Sequence, residues 1–140
     1  MVQTDRQLQC VVVTPERALL DEAADFVALP MYDGELGVLP GRAPLIGRLG
    51  FGELRLRREN QVRRYYIDGG FAQVRDNIVT ILTPQALKTE EINPEAVRQA
   101  LEAARVPATT PDAQQSQYQA QQRARAQLRL AARPTEMEGH

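Results

Sequence analysis

The sequence predicts a mainly β protein with an added α part: an N-terminal antiparallel β-sandwich of about ten strands, followed by a C-terminal two-helix antiparallel hairpin. Short apolar and β-branched segments recur at close spacing between residues 7 and 83, with turn residues between them. Two proline-led helix starts follow, each with an uninterrupted helical stretch after it. The pattern changes near Lys88, which predicts a sandwich domain at residues 1–88 and a hairpin domain at residues 89–140.

Eight segments carry the strand pattern. In chain order they span residues 8–13, 18–20, 26–29, 45–49, 54–57, 62–67, 71–74 and 78–82. One of them alternates leucine with arginine, which is typical of a strand with one buried face. Asp76-Asn77 is predicted to be a two-residue hairpin loop, because Asn tolerates the left-handed conformation. Gly69-Gly70 allows a bend or a bulge between two of the segments.

The densest turn signal is a segment with three glycines and two prolines: Gly34-Glu35-Leu36-Gly37-Val38-Leu39-Pro40-Gly41-Arg42-Ala43-Pro44. Asp33-Gly34 suits a hairpin turn with positive φ, and Pro40-Gly41 suits a type II turn. Two sharp turns at such close spacing predict a loop of fixed shape. A loop of this kind is typical of a surface that docks against another molecule.

The first helix is predicted to begin at Asn93-Pro94-Glu95, with Asn as the N-cap and a carboxylate beside the positive end of the helix dipole. It is expected to end near Arg105, because Pro107 cannot continue a helix. Its apolar face has i, i+3, i+4, i+7 spacing and consists of Val97, Ala100, Leu101 and Ala104.

The second helix is predicted over residues 113–133, after the capping sequence Thr110-Pro111-Asp112, and residues 134–140 are predicted to be a frayed tail. Its narrow apolar stripe is Ala113, Ala120, Ala124, Leu128 and Ala131. The two helices together place only three sizeable aliphatic side chains on their stripes. At about 1.5–3 kcal/mol for each such side chain when fully buried, docking of the hairpin is expected to gain little, on the scale of a conformational switch.

Composition argues against several classes of function. The formal net charge is −1, so no overall field favours nucleic acid or an anionic membrane. No apolar run approaches the roughly 20 residues of a membrane span, and residues 1–6 lack the pattern of a signal peptide. Single copies of cysteine (Cys10), histidine (His140) and lysine (Lys88) leave no material for a disulfide, a zinc site, imidazole catalysis or a P-loop. We expect Cys10 to be a small core residue and the chain to be no enzyme.

Two groups of arginines have alternative interpretations. The first is Arg55, Arg57, Arg58, Arg63 and Arg64, followed by Tyr65 and Tyr66. It is either the solvated face of a long hairpin or the binding surface of a free-standing, single-stranded nucleic-acid-binding β-module. The second group is Arg123, Arg125, Arg129 and Arg133. No acidic residue lies between residues 113 and 133, so these arginines are either a solvated face or a site for an acidic partner.

Three motifs resemble the epsilon subunit of F-type, proton-translocating ATP synthases. They are the segment at residues 34–44, the sequence Tyr66-Ile67-Asp68-Gly69-Gly70-Phe71, and the strand at residues 77–82, in the order and spacing of that family. A helical hairpin follows in both. The resemblance implies a sandwich with a C-terminal hairpin, and a non-catalytic central-stalk subunit that couples rotation of the c-ring to ATP synthesis. The implied partners are the gamma subunit, the c-subunit ring, and the alpha and beta catalytic subunits, with no nucleic acid.

The resemblance also implies two sets of contact residues. The loop that faces the c-ring carries over to Asp33, Glu35, Arg42 and Ala43. The family commonly has His at the Arg42 position, so the contact is expected to persist without its pH sensitivity. The hairpin of bacterial members brakes ATP hydrolysis with basic residues against an acidic segment of the beta subunit, and the candidates here are Arg123, Arg125 and Arg129. A subunit that couples rotation but has lost this brake is the remaining alternative.

Some bacterial members bind ATP through an Ile/Leu-Asp-x-x-Arg-Ala pattern on the hairpin. The matching residues here are Ile92-Asn93-Pro94-Glu95-Ala96-Val97, which lack both the Asp and the Arg. Weak or no ATP binding is therefore expected, and no cofactor. The resemblance places the chain at the cytoplasmic face of a bacterial inner membrane, or at the stromal side of a plastid thylakoid, associated with the membrane only through the complex.

Overall fold

The computed structural model describes residues 7–105 and 107–132, which form a β-sandwich followed by a helical hairpin. A short 3-10 turn, Thr89–Glu91, joins the two parts. The strands are β1 (Leu8–Val13), β2 (Ala18–Ala24), β3 (Phe26–Met31), β4 (Gly34–Val38), β5 (Leu45–Arg58), β6 (Gln61–Arg75), β7 (Ile78–Leu82) and β8 (Ala86–Lys88). The helices are α1 (Pro94–Ala103) and α2 (Pro111–Ala131).

All eight strands belong to one hydrogen-bonded sheet that folds over on itself. The strand order is β2-β1-β7-β6-β5-β3-β4, and β8 pairs with β6. The long strands β5 and β6 pair from Arg58↔Gln61 to Leu45↔Val74 and so belong to both layers. β8 pairs with the first half of β6 and β7 with its second half. The pairs are antiparallel except β1 with β7, which is parallel.

The main core lies between the two layers; seven strands supply its buried side chains, and Ala86 of β8 packs against it. Its fully buried large side chains include Leu8, Leu29, Leu49, Leu54, Ile67 and Ile81. Cys10 is part of this core, as expected, with no exposed surface. Burial, together with the nearby carboxylates of Glu22 and Asp21, raises the pKa of its thiol to about 12.

The glycine pair in β6 bends the sheet without interrupting the strand. Gly69 has φ 79° and Gly70 has φ 107°, and a Cβ on Gly70 would lie 2.0 Å from the carbonyl oxygen of Leu82. The core-facing side chains change from Ile67 before the pair to Ala72 after it, so the inward parity shifts across the bend. The segments predicted as separate strands at 45–49 and 54–57, and at 62–67 and 71–74, are therefore continuous.

Two strands lie where none was predicted. β4 occupies the first half of the segment interpreted as a loop, because it pairs with β3 through Leu29↔Leu36 and buries Val38. β8 is a three-residue strand at the end of the sandwich. The mergers and these additions leave eight strands in the described residues, where about ten were expected.

The predicted turns are largely confirmed. Arg42 N–H donates to Leu39 O at 3.3 Å and Gly41 has φ 88°, which defines the type II turn at Pro40-Gly41. Asp76 and Asn77 have φ 53° and 64° and form the two-residue loop between β6 and β7. The turn between β3 and β4 is one residue earlier than expected: Tyr32-Asp33 connects the strands and Gly34 opens β4.

Both helix starts are confirmed by their caps. The Asn93 side chain accepts hydrogen bonds from the N–H groups of Glu95 and Ala96 at 3.1 and 3.3 Å. The Thr110 hydroxyl accepts from the Ala113 N–H at 3.1 Å. α1 ends at Ala103, two residues before the predicted end. Arg133 and the tail predicted at residues 134–140 lie outside the described residues.

The apolar stripe predicted for α2 is wrong in part. The helix buries Ala124, Ala126 and Leu130, whereas Ala113 is exposed and Leu128 only half-buried. On the first helix Ala100 is exposed, and no residue of α1 is fully buried. The reason is that α2 packs its C-terminal half on the sandwich as well as on α1, so the buried face is set by both neighbours.

Candidate functional site

An uncovered apolar surface lies on one outer side of the sandwich. We call it the bare face; it consists of Ile46, Phe71, Ile78 and Leu82, which are 76%, 57%, 46% and 53% exposed. The four occupy outward positions of three adjacent strands, β5, β6 and β7, and Phe71 lies directly opposite Leu82. Gln73 and Thr80 lie between this pair and Ile78. Several exposed large apolar side chains on one outer side of a sheet are typical of a surface that binds another protein.

The bare face was missed from the sequence, although a signal was present. β6 and β7 both carry apolar residues at outward positions, where a sheet that faces water alternates apolar with polar residues. Phe71 and Leu82 are the outward residues that break this alternation. Both strands were predicted as sandwich strands, with no contact surface assigned to their outward side.

The opposite outer side of the sandwich is covered by the hairpin. We call it the covered face; it consists of Phe51, Tyr66, Asp68 and Leu87. The three apolar or aromatic side chains of this face form a second, smaller hydrophobic cluster with Ile92, Ala126 and Leu130 of the C-terminal part. The ring of Tyr66 is fully buried. The hairpin therefore packs on the sandwich through few large side chains.

A charged contact adds to this packing. Arg123 Nε donates to Asp68 Oδ1 at 2.6 Å, and the Tyr66 hydroxyl donates to the same oxygen at 2.6 Å. The Arg123 guanidinium also lies 5.1 Å from the centre of the Phe51 ring, within cation–π distance. Burial, together with the hydrogen bond to Asp68, raises the pKa of the Tyr66 hydroxyl. This hydroxyl therefore stays protonated as a donor.

The three arginines predicted to contact a catalytic subunit do not share one face of α2. Arg123 faces the sandwich and is half-buried, whereas Arg125 and Arg129 are exposed and one helical turn apart. Among the described residues, no carboxylate forms an ion pair with either exposed arginine. Of these three guanidinium groups, Asp68 holds that of Arg123, and the other two have no carboxylate partner in the part of the chain that the structure describes.

The four residues predicted to face the c-ring are all exposed but lie at two ends of one strand. Asp33 is in the turn before β4, and Glu35 in β4 forms an ion pair with Arg55 at 2.8 Å. Arg42 and Ala43 follow the other end of β4. At about 3.3 Å per residue, the strand separates the two pairs by more than 10 Å. The Gly41 N–H donates to Asn77 Oδ1 at 2.8 Å, which ties this loop to the β6–β7 turn.

The sheet arginines proposed as an alternative nucleic-acid surface are mostly engaged within the chain. Arg55 and Arg64 form ion pairs with Glu53 at 3.4 and 3.3 Å. Arg63 pairs with Glu22, and the Arg57 guanidinium lies 5.1 Å from the centre of the Phe26 ring. Tyr66, one of the two tyrosines expected to stack on bases, is buried. This surface does not favour nucleic-acid binding.

These surfaces define a class of protein: a β-sandwich docking subunit that carries its own helical cover on one side and an open apolar contact surface on the other. Within residues 7–105 and 107–132, neither helix combines the length and the apolar character that crossing a bilayer requires. A family model described as ATP synthase, Delta/Epsilon chain, beta-sandwich domain matches residues 7–89. The chain belongs to the family of ATP synthase epsilon chains.

Named relatives cover both parts of the chain. The ATP synthase epsilon chain of Rhodopirellula baltica is 54% identical over 125 residues, which is 89% of this chain and 98% of the relative. That of Carboxydothermus hydrogenoformans is 42% identical over 99 residues, 71% of this chain and 74% of the relative. The prediction of a non-catalytic epsilon subunit of the ATP synthase central stalk is thus confirmed.

Solved structures have the same fold. A chain of the Euglena gracilis mitochondrial ATP synthase, in a structure of OSCP, F1 and the c-ring, matches with a TM-score of 0.68 and 29% identity. The match covers 88% of this chain and 76% of that one. A chain of the Tetrahymena thermophila enzyme, in a structure of the central stalk and c-ring, has a TM-score of 0.71 at 14% identity over 89% and 96% of the two chains, which supports the fold alone.

Proposed function

We propose that this chain couples rotation of the c-ring to ATP synthesis by binding the gamma subunit through its bare face and the c-ring through its exposed loops. The observation that carries this proposal is the bare face itself. Ile46, Phe71, Ile78 and Leu82 lie outside the core on three adjacent strands, and no described part of the chain packs on them. A coupling subunit must be fixed to the shaft, and an apolar surface on a rigid sheet provides such an attachment.

The strength of this attachment follows from the buried area. Full burial of a large apolar side chain contributes about 1.5–3 kcal/mol, and each of the four still exposes about half of its surface or more. Their partial burial therefore favours association by a few kcal/mol, before complementary polar contacts at the rim. Phe71 is the largest of the four side chains and lies directly opposite Leu82 of β7, so it is expected to contribute most of the binding energy.

The test is binding of purified gamma subunit to full-length chains that carry a charge on one surface or the other. Phe71→Glu is expected to weaken binding at least 100-fold, because it leaves a carboxylate in an apolar contact. Tyr118→Glu is a matched control, since Tyr118 on α2 is an aromatic with the same exposure of 57%. Equal affinities of the two variants would refute attachment through the bare face.

For the c-ring contact we propose Asp33, Glu35, Arg42 and Ala43. Their exposure and the fixed turn at Gly41, held by Asn77, support a loop that keeps its shape under load. Single cysteines at Asp33 and at Arg42, in a variant with Cys10 replaced by alanine, should form disulfides with cysteines in the polar loop of the c-subunit. Crosslinking at Asp33 alone would exclude Arg42 and Ala43 from the contact.

We further propose that the hairpin inhibits ATP hydrolysis through Arg123, Arg125 and Arg129 against an acidic segment of the beta subunit. The small buried cluster under the hairpin and the two unpaired arginines support this role. The test is ATP hydrolysis by the catalytic complex that lacks this subunit, titrated with the full chain or with a chain truncated after Lys88. Inhibition by the full chain only is expected, whereas equal rates would indicate a subunit without a brake.

We propose that the hairpin binds ATP weakly or not at all, and that the chain uses no cofactor. At the positions of the family's binding pattern, Asn93 caps α1 with its side chain and Pro94 begins the helix. Neither supplies the charge of the residues that the pattern requires. A calorimetric titration of the full chain with Mg-ATP should show no heat of binding at micromolar concentrations, and a micromolar dissociation constant would contradict the proposal.

We place the subunit at the cytoplasmic face of a bacterial inner membrane, held there only through the complex; the stromal side of a thylakoid is the alternative location. The bacterial relatives support the first location. The chain should sediment with membranes that contain the catalytic complex and the c-ring, and should stay in the supernatant when these subunits are absent. Sedimentation without them would show an independent membrane contact.

A further inference from the structure

The contact between Arg123 and Asp68 links the hairpin to the sandwich at a single charged point. Asp68 lies in β6 directly before the Gly69-Gly70 bend, and Arg123 lies near the middle of α2. The distance between Arg123 Nε and Asp68 Oδ1 is 2.6 Å. Among the described residues this is the only ion pair between the hairpin and the sandwich. It therefore exists only while the hairpin is docked.

The surroundings of Asp68 make its carboxylate dependent on the counter-ion Arg123. The Asp68 side chain is 11% exposed, and the Tyr66 hydroxyl donates to the same carboxylate oxygen. A carboxylate with so little access to water depends on its counter-ion, because its hydration is largely lost. The Arg123 side chain, at 38% exposure, packs over Phe51 as well. In the docked hairpin, the Arg123 guanidinium is thus held both by the ion pair with Asp68 and by packing on Phe51.

In the docked hairpin Asp68 holds Arg123 Nε and the guanidinium lies over the Phe51 ring, so only part of this side chain is open to an outside carboxylate. Arg123 is one of the three arginines assigned above to the acidic segment of a partner protein, and it is the one that is occupied in the docked hairpin. Arg125 and Arg129 remain exposed in the same state. Docking therefore restricts the access of an outside carboxylate to Arg123 more than to the other two arginines.

We propose that Asp68 is a positioning residue that competes with the partner's acidic segment for Arg123 and thereby sets the fraction of hairpin that is undocked. This inference rests on the proposed braking function for its second half, the competition. Its first half, the latch between Asp68 and Arg123, is a property of the isolated chain. Loss of Asp68 shifts the hairpin towards the undocked state and strengthens inhibition, whereas loss of Arg123 undocks the hairpin but also removes a braking contact.

The latch is tested with a cysteine placed at Ala126, a residue of α2 that faces the sandwich and is 2% exposed. The measured quantity is the rate at which a thiol reagent labels this cysteine, which rises when the hairpin undocks. The parent is the full chain with Ala126→Cys and with Cys10→Ala, so that only one thiol reacts. Asp68→Asn and Arg123→Gln should each raise the rate about tenfold, since each removes one partner of a half-buried pair. The double variant should be no faster than either single one, because both remove the same contact.

Two further variants exclude a general loss of structure. Arg98→Gln is the matched control: Arg98 lies on α1, pairs with Glu95 at 3.6 Å and is 63% exposed, so the labelling rate should not change. Arg123→Lys keeps the charge and should raise the rate less than Arg123→Gln does. If circular dichroism shows that Asp68→Asn misfolds, the latch is judged from Arg123→Gln alone. Arg123 is partly solvated, so its replacement is expected to leave the fold intact. A rate within twofold of the parent in that variant overturns the latch.

The competition is tested by measuring how each variant inhibits ATP hydrolysis by the catalytic complex. For this test the variants keep the original Ala126 and Cys10, and the parent is the unaltered full chain. Asp68→Asn should inhibit at a concentration several-fold lower than the parent does, and Arg123→Gln at a higher one. If labelling responds as expected but Asp68→Asn inhibits no better than the parent, the competition is overturned and the latch stands. If no chain inhibits, the proposed brake itself is refuted, independently of the labelling result.

Discussion

The two outer faces of the sandwich differ in how their apolar side chains are shielded from solvent. On the covered face, Tyr66 is fully buried by the chain's own hairpin, and the contact is completed by the pair of Arg123 with Asp68. On the bare face, Phe71 and Leu82 lie side by side on neighbouring strands with more than half of each exposed. Both faces belong to the same folded sheet, and β6 contributes to both.

This difference separates two kinds of binding surface. A cover supplied by the same chain is present at high effective concentration, so a small interface with one charge pair holds it and still allows release. A surface left bare must be covered by another molecule, and only extensive apolar contact provides enough binding energy for that. The covered face therefore suits a reversible contact, and the bare face suits a permanent one.

The largest effect is expected at the bend that joins the two faces. Gly70→Ala would bring a Cβ to 2.0 Å from Leu82 O at φ 107°, so the unfolding free energy should fall by about 3 kcal/mol or more. Gly41→Ala has a positive φ of 88° but no atom within 4 Å, and should cost about 1–2 kcal/mol. Urea denaturation measures both, and equal losses would mean that the bend is not rigid.

The next prediction compares one aromatic side chain from each face. Tyr66→Ala should lower the unfolding free energy by about 3–5 kcal/mol, because it empties a buried site. Phe71→Ala should cost less than about 1 kcal/mol in the isolated chain, since most of that ring is already in water. Urea denaturation again decides. A large loss from Phe71→Ala would show that the bare face is covered in solution by a second copy.

A smaller effect separates the two leucines of α2. Leu130→Ala should destabilise the hairpin by about 2 kcal/mol, because Leu130 is 5% exposed in the cluster on the covered face. Leu128→Ala should cost about half as much, since that side chain is only half-buried. The measurement is the helical signal in circular dichroism during a urea titration. A larger loss of stability from Leu128→Ala than from Leu130→Ala would mean that the predicted apolar stripe, and not the observed one, packs against the sandwich.

The smallest effect is a pH dependence on the covered face. Burial, together with the hydrogen bond to Asp68, raises the pKa of the Tyr66 hydroxyl above the value of about 10 in an unfolded chain. The unfolded chain therefore releases this proton first. The stability is fully present below pH 10 and is lost as the pH rises above it. Between pH 9 and 11 the parent should lose about 1 kcal/mol more than Tyr66→Phe; parallel pH profiles in urea denaturation would contradict this.

Local chemistry in the sequence was enough to predict the sandwich, the hairpin and most turns. Caps at Asn93 and Thr110 and the positive-φ loop at Asp76-Asn77 depend on residues close in sequence, so they were predictable. Strand continuity was not, because Gly69-Gly70 is compatible with either a break or a bend. Pairing of β5 with β6 on both sides of the glycines decides in favour of a bend.

The functional surfaces were only partly predictable for a similar reason. The arginines of α2 were found from composition, but the partner of Arg123 lies 55 residues away in β6 and depends on how the hairpin docks. Leu128 was placed on the apolar stripe by its helical spacing from Ala124, whereas docking on the sandwich buries Leu130. The bare face required the layer of each strand to be known before Phe71 and Leu82 could be recognised as neighbours.

The hydrogen bond from Gly41 to Asn77 has a mechanical consequence. It connects the loop after β4 with the turn between β6 and β7, which are 36 residues apart in sequence. A sideways force on Arg42 is therefore shared between strands on both sides of β5, and the loop deflects less than a free loop of its length would. Asn77→Ala should make this end of the sandwich more compliant, with faster hydrogen exchange at the Gly41 amide.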